Sequence, residues 1–113
     1  MDITVKDLES YLLHNYGSWA KEQGLFMKLV EEIGEVAEVL NKRSGRKHSD
    51  EANLTEKLAS ELADVIHYAV AIAAVNEIDL TETILAKDKK ASAKYNRDIN
   101  LETFLAQKDG SVE

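Results

Sequence analysis

The sequence contains no cysteine and no proline. Without cysteine there is no disulfide, thiolate nucleophile, zinc ribbon or iron–sulfur centre. That fits a reducing, cytoplasmic setting. Without proline, and with five scattered glycines, no Pro-rich linker or low-complexity segment divides the chain. Basic residues are outnumbered: 14 Lys plus Arg against 21 Asp plus Glu give a net charge of −7. That sign repels nucleic acid polymers unless a local basic face exists, but it does not exclude a small phosphate ligand carried by a metal ion. The longest apolar-rich stretch, Val65 to Val75, contains His67 and Tyr68 and reads as too short for a membrane span. Met1–Thr4 has no basic region followed by an apolar one, so no leader is expected and no membrane partner.

What remains is 113 residues with 44% hydrophobic content, enough for one modest core and therefore a single domain over residues 1–113. The apolar periodicity is helical almost throughout. A first helix is expected from Val5 to about Tyr16, capped by Thr4 with Asp7 three residues on and ended by Gly17. A second runs from about Lys21 to Lys42 on the apolar series Phe26, Leu29, Val30, Ile33, Val36, Ala37 and Leu40. Arg43 to Glu51 reads as a polar loop. A third helix follows Asn53, with Glu56 as capping partner, and reaches about Asn76. A fourth is capped by Asp79 with Glu82 and reaches about Arg97; the tail from Gln107 is polar and expected to fray. The fold class is all-α, an antiparallel four-helix bundle. The third helix is apolar around most of its circumference, more than one chain can cover. A homo-oligomer, dimer or tetramer, is expected to form through the helices.

One short pattern occurs twice. Glu32-Ile33-Gly34-Glu35-Val36 and Glu61-Leu62-Ala63-Asp64-Val65 both read acid, apolar, small, acid, valine. With Ile33 and Leu62 set at the centres of their apolar faces, each acid pair falls at the same two angles, about 100° and 160° to one side. An i, i+3 pair stacks two carboxylates on one helix. Two antiparallel helices can then aim all four groups into one cleft, and the small residues Gly34 and Ala63 permit close approach. Val36, Val39, Val65 and Tyr68 give the acids an apolar surround, and Tyr68 lies close enough in angle to border them. Like charges so gathered repel unless a cation joins them. All-oxygen ligation favours Mg²⁺, with Mn²⁺ as a substitute, over Zn²⁺. The competing view is an exposed acidic helix face, common in proteins rich in Glu. Lys87, Lys90, Lys94 and Arg97 form a further stripe at spacings of 3, 4 and 3, either a solvated face or an anion-binding one. His14, His48 and His67 share no ligand spacing; His48 reads as a loop residue and the others as structural.

Lys28-Leu-Val-Glu31-Glu32-Ile-Gly-Glu35-Val-Ala-Glu38, followed by Glu61-Leu-Ala-Asp64-Val65, resembles the MazG-like branch of the all-α nucleoside triphosphate pyrophosphohydrolases. The resemblance covers roughly Trp19 to Arg97. It implies Mg²⁺ ligation by Glu32, Glu35, Glu61 and Asp64, and hydrolysis of nucleoside triphosphates to monophosphate and pyrophosphate. Glu31 or Glu35 would orient or deprotonate the attacking water, although Glu31 also reads as a plain exposed helix residue, and Glu38 is assigned to the solvated face. Phosphates would be held by Lys94 and Arg97 first, then Lys90 and Asn96, where the local match is looser. Trp19 would line the base pocket with Tyr68, unless it is core or interface. The alternatives are a related enzyme acting on phosphoribosyl-ATP or a modified nucleotide, and a non-enzymatic helical interaction module.

Overall fold

A computed structural model describes residues 1–45 and 53–110. It contains α1 (Val5–Tyr16), a 3₁₀ turn (Trp19–Lys21), α2 (Glu22–Arg43), α3 (Leu54–Val75), α4 (Leu80–Lys94) and α5 (Leu101–Gly110), and no strand among the described residues. His48 and most of the expected polar loop lie outside these residues. The chain divides into two compact units, Met1–Ile78 and Asp79–Glu113.

The helix starts follow local hydrogen-bond chemistry. The Thr4 hydroxyl accepts from the Asp7 N–H at 3.0 Å, Asn53 from Glu56 at 2.9 Å, and Asp79 from Glu82 at 3.1 Å. Each satisfies an amide that the first helical turn leaves without a partner. α1 ends on Gly17, whose φ of 81° suits a residue without a Cβ. Beyond the last residue of α3, Glu77 is also left-handed at φ 53°, with Glu77 N–H donating to Ala74 C=O and Ile78 N–H to Ala73 C=O. This pair of bonds is the Schellman closure.

In the first unit α3 packs on both α1 and α2. The start of α2 meets the end of α3, where Asn76 Nδ2 donates to Glu22 Oε1 at 2.8 Å, so the two helices run antiparallel. Leu12, Leu25, Val39 and Val70 are buried. The inward series of α2 is Leu25, Leu29, Glu32, Val36 and Val39, at spacings of 4, 3, 4 and 3. It is not the face centred on Ile33: Ile33 is 52% exposed and Leu62 44%. Phe26, Val30, Leu40 and Ile66 are exposed with them. α3 is also longer as an apolar helix than the expected Val65–Val75 stretch. By length and composition alone it suffices to cross a membrane. Glu61, buried on its packed face, and its contacts with two other helices are those of a core helix.

The second unit departs from the expected outline. α4 stops at Lys94 rather than near Arg97, because Asn96 turns left-handed at φ 54°. Asn96 N–H then donates to Ala93 C=O and Arg97 N–H to Ser92 C=O, a second Schellman closure. The tail expected to fray from Gln107 belongs to a fifth helix as far as Gly110. Asn100 caps it, accepting from Thr103 N–H at 2.8 Å, and Leu101 N–H donates to Asp88 on α4 at 2.6 Å. Three large apolar residues, Leu101, Phe104 and Leu105, gave too little periodicity to announce so short a helix.

Candidate metal centre

The antiparallel pairing of α2 and α3 brings the two acid pairs together. Carboxylate oxygens of Glu32, Glu61 and Asp64 lie within 4.8 Å of one another. Glu35 joins them through a hydrogen bond with Glu61. Glu32 and Glu61 are only 9% and 8% exposed. Gly34 and Ala63 do not have the role expected of them. A Cβ at Gly34 would meet nothing within 4 Å, and Ala63 is exposed, so helix approach does not depend on either.

The gathered carboxylates repel one another and favour the protonated form of the most buried among them. Glu61 is pushed up to about 7, first by its hydrogen bond to Glu35, then by burial and by the charges of Glu35 and Glu32. Glu32 is also raised, by burial and by the charges of Glu35 and Asp64. One proton cannot satisfy the cluster: Glu32 Oε2 and Glu61 Oε2 are buried with no hydrogen-bond partner. Acceptor-only oxygens facing one another without donors form an arrangement that a divalent cation completes. The residues present therefore fit a hard cation.

Two recesses flank the cluster. A cleft of about 430 Å³ is lined by Glu31, Gly34, Glu35, Glu38, Lys42 and Lys57. Glu31 sits at its edge, with Lys28 Nζ 3.8 Å from Glu31 Oε1. Glu38, assigned to the solvated face, lines this cleft as well. A cavity of about 380 Å³ is lined by Tyr16, Lys21, Gly24, Leu25, Lys28 and Tyr68. Burial, with Tyr68 and Tyr11 nearby, raises the Tyr16 hydroxyl above its ordinary value. Trp19 sits on the 3₁₀ turn, 70% exposed, and is not among the lining residues. Tyr16, Lys28, Lys42 and Lys57 escaped the sequence reading. One signal was available: Lys28 and Lys57 each stand four residues before the first acid of the repeated pattern.

The expected phosphate ligands lie in the second unit. Lys94 Nζ and the Arg97 guanidinium both approach the Tyr95 ring, at 5.4 and 5.9 Å from its centre. Arg97 also lies 3.9 Å from Asp88. Lys90 is exposed on α4, and Asn96 occupies the left-handed turn between Tyr95 and Arg97.

The helical fold and the carboxylate cluster together define an all-α protein with a site of the kind that binds divalent cations. Comparison with known proteins narrows the class. The MazG nucleotide pyrophosphohydrolase domain matches residues 20–97. Among solved structures, the crystal structure of iMazG from Vibrio DAT 722 is similar, at 28% identity and a TM-score of 0.63. The similarity covers 84% of this chain and 100% of that one. No curated protein matches. The chain belongs to the MazG family and is a nucleotide pyrophosphohydrolase, a hydrolase of phosphoric anhydrides. Hydrolases of this family generally use divalent metals.

Proposed function

We infer that the protein hydrolyses nucleoside triphosphates to nucleoside monophosphate and pyrophosphate with Mg²⁺, or Mn²⁺ in its place. The supporting observation is the meeting of Glu32, Glu35, Glu61 and Asp64 with two buried carboxylate oxygens unpartnered. These four residues would hold the ion. A bound Mg²⁺ supplies charge neutralisation on phosphate oxygens and lowers the pKa of water.

The chain's own groups divide the remaining work. Glu35 or Glu31, at the cleft side of the cluster, orients the attacking water and accepts its proton. In the second unit, Lys94 and Arg97, gathered at Tyr95, with Lys90 and Asn96, are the groups proposed to bind phosphate. Tyr68 receives the base in the open recess it shares with Tyr16, Leu25 and the cationic Lys21 and Lys28, where the rings offer faces to a flat base. Trp19, standing in solvent on the turn before α2, remains as a partner for the base only if it folds over the ligand. A second copy covers the exposed apolar stripe of α2 and α3, giving a homo-oligomer in the cytoplasm.

The test is product analysis by anion-exchange chromatography across the eight common ribo- and deoxyribonucleoside triphosphates, with Mg²⁺ and with EDTA. Monophosphate plus pyrophosphate, lost with EDTA and in Glu32→Gln and Asp64→Asn, is the expected result. Turnover that persists with EDTA overturns the metal assignment. Turnover confined to phosphoribosyl-ATP or a modified nucleotide overturns the substrate assignment.

A further inference from the structure

We propose that His67 is a positioning residue for the nucleotide: it fixes Tyr16 and Tyr68 as two walls of the cavity beside the carboxylates and so sets substrate affinity. His67 Nε2 and the Tyr16 hydroxyl are 2.8 Å apart, joining α3 to α1 across 51 residues of sequence. The same imidazole meets the Tyr16 ring edge-on, with centroids 5.9 Å apart and planes at 82°. It meets Tyr68 in the same manner, at 4.8 Å and 74°. Tyr16 and Tyr68 both line the 380 Å³ cavity, whereas His67 does not. It stands behind both walls.

Tyr16 needs such an anchor. It is the last residue of α1, followed directly by Gly17 in a left-handed turn. A tyrosine at a helix end has several rotamers open to it. An apolar residue at position 67 would pack against the ring but leave the hydroxyl unheld. The imidazole does both, and its contact with Tyr68 makes one residue the reference for two walls on different helices. Fixing a side chain before the ligand arrives removes an ordering cost that binding would otherwise carry. That cost corresponds to about a three- to tenfold change in affinity for one wall.

The inference rests on the reading that this cavity receives the base. It is tested by steady-state kinetics on the fastest triphosphate of the panel, with melting temperature measured alongside. His67→Ala and Tyr16→Phe are each expected to raise KM about three- to tenfold with kcat within about twofold. The double variant should match the stronger single one, because both remove the same bond. His67→Gln, which keeps a hydrogen-bonding group, should recover most of the affinity. Tyr16→Phe removes only the hydroxyl of this bond, so it reports even if His67→Ala does not fold. Unchanged KM in Tyr16→Phe, with KM raised in Tyr68→Ala, overturns the positioning role and leaves the cavity reading intact. Unchanged KM in Tyr68→Ala overturns both. A fall in kcat at unchanged KM also overturns it, since a positioning role in binding does not act that way.

Discussion

Neighbouring residues on α2 and α3 have opposite fates. Glu32 is buried while Ile33, the next residue, is half exposed; Glu61 is buried while Leu62 is half exposed. A soluble helix normally puts such pairs the other way round. Glu32 and Glu61 have taken the packed face between the helices, and a stripe of Phe26, Val30, Ile33, Leu40, Leu62 and Ile66 is left outside. The inner face gathers like charge away from water, and the outer face leaves apolar side chains in it. On the proposed reading the two faces take different partners: a cation for one, a second copy's helix surface for the other.

The strongest way to break this comparison is to remove a ligand from the inner face. Asp64→Asn should cut kcat/KM about a thousandfold, since a metal's charge stabilisation is worth several kcal/mol. Glu61→Gln should raise the melting temperature of metal-free protein, because it removes a buried charge from a repulsive cluster, and abolish activity measured with Mg²⁺. A truncation in the ordinary core gives the contrast. Leu12→Ala should cost about 2–5 kcal/mol by denaturant unfolding, with no gain at any metal concentration.

Next in size comes the response to metal and pH. Mg²⁺ at a hundred times its dissociation constant should stabilise the fold by about 2.7 kcal/mol in thermal melts, and EDTA should abolish this. Glu61 rises from 4.5 when unfolded to about 7 when folded, so the folded protein holds the extra proton. The stabilisation is present below the unfolded value and is lost as pH rises through about 7. Metal-free protein should therefore melt progressively lower as pH rises from 4.5 to beyond 7, and Mg²⁺ should flatten or reverse that slope. A metal-free melting curve independent of pH would remove the charged cluster from the account.

The smallest effect is expected on the outer face. Ile33→Lys with Leu62→Glu should change single-chain stability by within about 0.5 kcal/mol. The same pair should shift sedimentation toward the monomer. A large loss of stability with no change in assembly would mean that this face packs within the chain.

Much of the molecule was legible beforehand because it depends on near neighbours. The caps at Thr4, Asn53 and Asp79 are three-residue hydrogen-bond patterns, and Gly17 is a backbone preference. The four acids were legible because a repeated i, i+3 spacing survives any packing arrangement. Asn96 and Glu77 were not, since a residue with a side chain enters the left-handed region only when the following turn closes its bonds. Nor was α5, whose start relies on Asp88 across from Leu101.

By itself the sequence determined that the chain is helical, where most helices begin, and that two acid pairs stand at matching angles on two of them. Those are properties of residues three or four positions apart. Only the tertiary structure decided that Glu32 and Glu61 face inward and Ile33 and Leu62 outward, and that Tyr16 reaches His67. A helical wheel gives angles about one axis but no direction toward a neighbour. That direction is set by α3 packing on α1 and α2 together, through contacts between residues that sequence spacing does not relate.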